Sequence, residues 1–237
     1  MLELTPSFFD RHGLEVSRET CERFNVYARL LLKWQKTVNL VSAATLANLA
    51  ERHFLDSAQL VKYIPPEPVK LADMGAGAGF PGLVLGMMGV GEVHLIESDV
   101  RKATFLRTVA GTGAFRPQRS SSQAEDVSRE TSGAAVAPRR GQGDYRSIVV
   151  HDDRVDSVAI DGLDIITARA LAPLGDLLGM AHQLAAGKDV KCLFLKGEKC
   201  DAEIAKAQKR FDFNLEVHSS LSDPHGKILA ITGVKPR

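Results

Sequence analysis

The first sixty residues of the chain carry apolar side chains at helical spacing. One buried helical face is predicted, at the i, i+3, i+4 and i+7 positions, for Phe24, Tyr27, Leu30, Leu31 and Trp34. Ser17 stands ahead of this run and is a residue type favoured at a helix N-cap. Further helical stretches are predicted over residues 43–51 and 53–63, and the prolines of IPPEP end the region because proline cannot continue a helix. We therefore predict a helical extension over residues 1–66.

Beyond residue 66, short apolar runs alternate with stretches of helical periodicity. Strands are predicted over residues 69–74, 92–97, 148–151, 164–168, 190–196, 214–219 and 227–234. Helices are predicted over residues 82–88, 100–111, 174–186 and 201–211. Alternation of this kind is typical of a mostly parallel sheet that is covered on both faces. Residues 67–237 are thus predicted to form an α/β domain with a mostly parallel, seven-stranded, Rossmann-like sheet.

Residues 116–146 interrupt this pattern. The segment is rich in Ser, Arg, Gly, Pro and Ala and contains almost no large apolar side chains. Such a composition cannot bury enough apolar surface to offset the entropy that is lost on ordering. We expect a flexible, solvated insertion between a helix and the third strand, rather than an RNA-binding element.

The composition is that of a globular chain. With 237 residues, 44% apolar and 25% charged, there is material for one α/β domain and a smaller extension. No window approaches a membrane span, the N-terminus lacks a signal pattern, and the three cysteines show no metal-ligand spacing. We therefore expect a cytoplasmic protein without a membrane segment or a metal ion. A net charge of +1 restricts any RNA contact to a local basic patch.

The most informative segment is LADMGAGAGFPG, residues 71–82. A predicted strand runs into a glycine-dense turn, and a helix can begin directly after Pro81. Glycines let the backbone turn tightly and approach a bulky ligand, while the helix presents free N–H groups. The next strand ends at Glu97, whose carboxylate can accept hydrogen bonds from ribose hydroxyls. This pattern predicts a nucleotide-type cofactor site.

Two cofactors fit this segment. Gly77, Gly79 and Gly82 read as G-x-G-x-x-G, and Glu97 lies at the spacing of a dinucleotide site, so a nicotinamide-dependent oxidoreductase is one reading. Asp73 favours the other reading, because an acid can pair with the zwitterionic tail of S-adenosylmethionine but repels a pyrophosphate. A non-catalytic RNA-binding module on a degenerate cofactor fold is a third hypothesis.

Several short motifs in order resemble the glucose-inhibited division protein B family, the bacterial small-subunit ribosomal RNA methyltransferase G family. The resemblance rests on NLV at 39, RHFLDS at 52, DMGAGAGFPG at 73, IES at 96, RVD at 154, TARA at 167 and LKG at 195. It implies a class I S-adenosylmethionine-dependent methyltransferase fold with an N-terminal helical extension. It also implies methylation of N7 of one guanine in 16S rRNA, with S-adenosylhomocysteine as the second product, on the small ribosomal subunit or its assembly intermediate.

The resemblance also implies a set of cofactor residues. Together with Gly77 and Glu97 of the motif they are Gly75, Phe80, Val155, Asp156 and Arg169. The family usually has Glu at the position of Asp156, so the shorter side chain leaves its direct contact open. Arg169 is too polar for the interior of the sheet and is expected to face the ligand crevice at a strand end.

The expected acceptor atom determines which catalytic groups are needed. Guanine N7 already carries an in-plane lone pair, so methyl transfer requires alignment and no general base. We therefore predict no catalytic acid or base residue.

Basic groups are expected near the carboxyl edge of the sheet. Those proposed as RNA contacts are Arg52, His53 and Lys196. We expect the protein to be a monomer.

Overall fold

The computed structural model describes residues 3–112 and 147–237. The predicted insertion at residues 116–146 lies outside the described residues. The described part contains one sheet of seven strands: β1 Val69–Met74, β2 Gly91–Ile96, β3 Ser147–His151, β4 Ile165–Arg169, β5 Lys191–Lys196, β6 Phe211–Ser219 and β7 Lys227–Pro236.

The sheet has the order β3-β2-β1-β4-β5-β7-β6. The first five strands in this order pair in parallel, and β7 pairs antiparallel with both β5 and β6. The predicted mostly parallel, seven-stranded sheet is therefore confirmed. Chain order reverses between β1 and β4, and such a switch point opens a crevice at the carboxyl ends of the strands.

Eight α-helices are described: α1 Pro6–Asp10, α2 Arg18–Trp34, α3 Ala43–Leu46, α4 Asp56–Ala58, α5 Gly82–Met87, α6 Val100–Ala110, α7 Leu174–Leu184 and α8 Cys200–Ala207. A π-helix, Ala50–Leu55, runs into α4, and a 3-10 helix, Gln59–Tyr63, follows it. The backbone N–H of Thr20 donates to Ser17 Oγ at 3.2 Å, so Ser17 caps α2 as predicted. None of the described helices is long and apolar enough to cross a membrane.

Two hydrophobic clusters cover the two faces of the sheet. One joins β1 and α5 to the predicted extension, whose buried aromatic side chains include Phe9, Phe24, Tyr27 and Phe54. The other lies under α7 and α8. Because the extension shares a hydrophobic core with the sheet, this packing holds it beside the carboxyl end of β1.

Two predicted helix boundaries were wrong. The boundary between the predicted helices 43–51 and 53–63 is not observed. A single π-helix runs through residue 52, from Ala50 to Leu55. His53, Phe54 and Leu55 are all buried, and three consecutive buried side chains do not fit a single face of a surface α-helix. The predicted helix 201–211 ends at Ala207, because Phe211 is buried and begins β6.

Candidate functional site

An open cavity of about 1480 Å³ lies at the carboxyl ends of β1, β2, β4 and β5. It is lined by all seven residues of the cofactor set implied by the resemblance, Gly75, Gly77, Phe80, Glu97, Val155, Asp156 and Arg169, and by Arg52, His53 and Lys196 of the RNA set. The cavity is larger than the 300–1,000 Å³ or so of a typical small-molecule site. It therefore has room for a nucleotide-sized ligand and for part of a second one.

The glycine turn after β1 depends on left-handed backbone conformations. Gly75, Gly77 and Gly79 have φ angles of 63°, 58° and 97°, which other residues rarely adopt. The helix α5 then begins at Gly82, with Pro81 as its N-cap. Gly75 and Gly77 line the cavity, so the turn presents part of its backbone to a ligand without a side chain in between.

Gly75 also lies against the loop that follows β4. A Cβ atom added to Gly75 would lie 2.5 Å from Leu171 Cδ1. Leu171 is 38% exposed and follows Ala170, whose φ of 53° is unusual for a residue other than glycine. We expect Gly75→Ala to lower the free energy of unfolding by about 1 to 2 kcal/mol for its backbone strain alone, with a further loss from the clash.

Gly162→Ala is the matched control for this prediction. Gly162 has a φ of 70°, but an added Cβ would meet nothing within 4 Å. Urea unfolding of both variants separates the strain from the clash. Equal losses would mean that Leu171 moves aside without cost and does not pack on the turn.

Glu97 holds the glycine turn from the end of β2. Its Oε2 accepts a hydrogen bond from Gly77 N at 2.8 Å, and its Oε1 accepts one from Asp99 N at 2.8 Å. The residue is 8% exposed and lines the cavity. Because each carboxylate oxygen has two lone pairs, Glu97 can still accept hydrogen bonds from a ligand in this orientation.

Asp73 does not face the cavity, which corrects its predicted contact with the cofactor tail. The carboxylate is fully buried and accepts hydrogen bonds from Gly82 N at 2.9 Å and from Thr167 Oγ1 at 2.8 Å. Burial raises the pKa of Asp73 to about 7, against the lowering effect of these two hydrogen bonds. Asp73 therefore holds the start of α5 against β4.

Arg169 faces the cavity from the end of β4, as predicted, and is held by the helical extension. Its Nη1 donates to the carbonyl oxygen of Arg52 at 3.0 Å and to Asp56 Oδ2 at 3.4 Å. Its Nη2 donates to His53 Nδ1 at 2.8 Å. The guanidinium carbon also lies 5.0 Å from the ring centroid of Phe80, within the range of a cation–π interaction.

The contacts of His53 fix its protonation state. Arginine has no lone pair to offer, so Nδ1 must accept from Arg169 and the proton must lie on Nε2, which is 2.9 Å from Thr45 Oγ1. Burial, and then the charges of Arg169 and Arg52, lower the pKa of His53 to about 3. His53 is therefore neutral, and both of its ring nitrogens already have protein partners.

Phe80 forms an apolar wall of the cavity. Its ring lies 5.1 Å from that of Tyr27 in a stacked arrangement, 5.3 Å from Phe54 and 4.9 Å from His53. The Tyr27 hydroxyl donates a short hydrogen bond to the carbonyl oxygen of Ala78, inside the glycine turn. Packing against the extension thus fixes the ring that closes one side of the cavity.

Val155 and Asp156 reach the cavity on a short 3-10 turn, Val155–Ser157, after β3. The Asp156 carboxylate pairs with the exposed Arg154 side chain at 3.3 Å, and its carbonyl oxygen accepts from Gln183 Nε2 at 3.4 Å. Val155 packs on the cluster under α7. This side of the cavity is therefore apolar with a polar rim.

Two of the proposed RNA contacts have strong partners within the chain. Lys196 Nζ lies 2.6 Å from Glu203 Oε2 and donates to the carbonyl oxygen of Ala172 at 2.9 Å, with 8% of its side chain exposed. Arg52 Nη1 lies 2.6 Å from Asp223 Oδ2, with 39% of its side chain exposed. Contact with RNA stays a prediction for both residues, and Arg52 is the more accessible of the two.

Sequence reasoning missed several cavity residues that come from distant parts of the chain. They include Thr45, Asp56, Leu171, Glu203, Ser220 and Asp223. Asp56 had a local signal, since it lies four residues after Arg52 within RHFLDS. Metal-holding groups of three or more His, Cys, Asp or Glu are not found among residues 3–112 and 147–237.

Comparisons with known proteins identify the family and agree with the fold. Residues 20–135 match the family model described as rRNA small subunit methyltransferase G. Relatives named ribosomal RNA small subunit methyltransferase G are 42% identical in Paramagnetospirillum magneticum, over 92% of this chain and 91% of the relative, and 40% identical in Rhodospirillum rubrum, over 96% and 97%. A solved structure of a predicted O-methyltransferase from Agrobacterium tumefaciens has a TM-score of 0.50 and 16% identity, over 76% of this chain and 81% of that one, and supports the fold alone.

Proposed function

The chain belongs to the ribosomal RNA small subunit methyltransferase G family, and from this premise we propose that it methylates N7 of a guanine in 16S rRNA with S-adenosylmethionine. Membership of a methyltransferase family decides against the two alternatives that the sequence left open, a nicotinamide-dependent oxidoreductase and a non-catalytic RNA-binding module. The observation that carries the proposal is the convergence of all seven proposed cofactor residues on one cavity.

The residues of the cavity fit the parts of S-adenosylmethionine. Glu97 offers carboxylate oxygens to a ribose diol beside the bare backbone of the glycine turn. Ile96, Val155 and Met180 supply apolar surface for an adenine ring. Arg169 has five N–H groups, and three of them are used within the described part of the chain. The two others suit the α-carboxylate, the anionic group of this ligand.

The protein itself has to align the cofactor with the target guanine and to accommodate the positively charged 7-methylguanine that forms. When bound, S-adenosylmethionine would supply a sulfonium methyl group, whose carbon a nitrogen lone pair can attack while the C–S bond breaks and S-adenosylhomocysteine leaves. Because guanine N7 carries such a lone pair, no group of the chain has to remove a proton. His53 is consistent with a reaction that uses no base, since a neutral imidazole with both nitrogens hydrogen-bonded to the protein cannot serve as a general base.

A pH profile tests the absence of a base. We expect the transfer rate to stay nearly constant from about pH 5.5 to 8, because the pKa of His53 is lowered to about 3 and no cavity base is used. The measurement is single-turnover transfer with saturating RNA and cofactor, with circular dichroism at each pH to confirm folding. A clean single-proton requirement in this window would contradict N7 as the acceptor.

Two binding and transfer experiments test the proposed function itself. Calorimetry with S-adenosylmethionine and NAD side by side should detect binding of the first alone. Labelled methyl groups should then pass from S-adenosylmethionine to 16S rRNA in small subunits that lack the modification, and not to 23S rRNA. Binding of NAD, or transfer to 23S rRNA in place of 16S rRNA, would contradict the proposal.

A further inference from the structure

One turn of the helical extension surrounds the side chain of Arg169. Arg52 contributes its carbonyl oxygen at 3.0 Å, His53 its Nδ1 at 2.8 Å and Asp56 its Oδ2 at 3.4 Å. The first two residues lie in the π-helix Ala50–Leu55, an irregular helix type that occurs frequently at functional sites. Arg169 is thus anchored by a segment that lies outside the Rossmann-like sheet.

Of these three acceptors, Asp56 carries the negative charge. The side chains of Asp56 and Arg169 are 16% and 18% exposed, so water screens their attraction only in part. His53 is neutral, and Arg52 brings a second positive charge close enough to lower the pKa of His53. Without the Asp56 carboxylate, the mostly buried Arg169 guanidinium would have no ion-pair partner among the described residues, which is costly.

Asp56 also binds the loop between β6 and β7. Its Oδ1 accepts hydrogen bonds from Ser222 Oγ at 2.6 Å and from Ser220 Oγ at 3.3 Å. The same loop carries Asp223, which pairs with Arg52 at 2.6 Å and lines the cavity. Oδ2 of Asp56 therefore binds Arg169 on the cofactor side of the cavity, whereas Oδ1 binds the β6–β7 loop and Gln59.

On the basis of the proposed cofactor site, we propose that Asp56 is a positioning residue of the methyltransferase, which holds Arg169 toward the cofactor and the β6–β7 loop beside it. The helical extension then contributes to cofactor binding, because its RHFLDS segment supplies the groups that orient Arg169. In this role Asp56 acts on the cofactor through Arg169.

The test compares Asp56→Asn with two other variants. Asparagine keeps the size of the side chain and one acceptor oxygen but removes the charge, and we expect it to weaken S-adenosylmethionine binding about tenfold. Asp56→Glu, which keeps the charge, should restore the affinity to within about threefold. Glu51→Gln is the matched control, since Glu51 is an exposed carboxylate of the same π-helix, and its affinity should change less than about twofold.

A double-mutant cycle separates positioning from a general structural effect. If Asp56 acts through Arg169, Asp56→Asn should have almost no further effect on cofactor affinity in an Arg169→Gln background. Calorimetry measures the affinities, and thermal melts show that each variant is folded. Should Asp56→Asn not fold, Asp56→Ser takes its place in the cycle.

The outcomes distinguish this inference from the proposed function. Additive effects in the cycle, or full affinity in Asp56→Asn, overturn the positioning role while the unmodified protein still binds S-adenosylmethionine. Absence of cofactor binding by the unmodified protein overturns the proposed function and the positioning role together.

Discussion

Glu97→Ala is expected to weaken S-adenosylmethionine binding by about 1.5 to 3 kcal/mol, which corresponds to roughly 10- to 150-fold in Kd. The variant removes a charged acceptor for the ribose hydroxyls. It also leaves the N–H groups of Gly77 and Asp99 without the carboxylate that holds them at 2.8 Å. Both effects act on the cofactor side of the cavity, and isothermal titration calorimetry measures their sum.

Glu92→Ala is the control on the same strand. Glu92 pairs with His94 at 2.6 Å and with Lys70 at 3.6 Å, and it does not line the cavity. Its removal should change cofactor affinity by less than about twofold, although it removes the same charge. Unchanged affinity in Glu97→Ala, with the protein folded, would mean that the cofactor site has been misplaced.

The buried Asp73 should make stability depend on pH. Its pKa of about 7 lies above the value of 3.8 for an ordinary aspartate, so the folded protein binds an extra proton between these values. This group's contribution to the free energy of unfolding therefore falls as pH rises from about 4 to 7 and is constant above that range. The expected loss is on the order of 4 kcal/mol.

Asp73→Asn removes this titration while it keeps the hydrogen bonds. The amide oxygen can accept from Gly82 N, and the amide nitrogen can donate to Thr167 Oγ1, which replaces the carboxylate in both contacts. Urea unfolding at a series of pH values should show that the variant gains stability relative to the unmodified protein as pH rises. Parallel pH curves for the two proteins would show that Asp73 does not bind a proton in this range.

The parts of the fold and site that sequence reasoning reached are those with local signals. Alternating apolar runs predicted the seven strands, and the glycine spacing placed the turn after β1 together with Glu97 twenty residues later. Arg169 was predicted to face the cavity because a charged residue at the end of an apolar strand has no place inside a sheet. Each of these inferences needs only neighbouring residues in the chain.

The parts that failed depend on partners far away in sequence. Asp73 looked like a ligand contact, but it binds Thr167, which is 94 positions away and is brought opposite by the pairing of β1 with β4. The link from Asp56 to Ser222 spans 166 positions. Contact of His53 with RNA stays a prediction, but its hydrogen bonds to Arg169 and Thr45 could not be predicted before the fold was known. Contacts between residues so far apart in the sequence cannot be predicted from a local sequence pattern.

The most direct measurement locates the methyl group on the RNA. Small ribosomal subunits that lack the modification are incubated with the protein and S-adenosylmethionine, and the 16S rRNA is then treated with borohydride and aniline, which cleave at 7-methylguanosine. We predict one new cleavage site in 16S rRNA, which is absent without cofactor and strongly reduced with Glu97→Ala. Methyl transfer to 16S rRNA without any new cleavage would place the methyl group on another atom and contradict N7 methylation by this cavity.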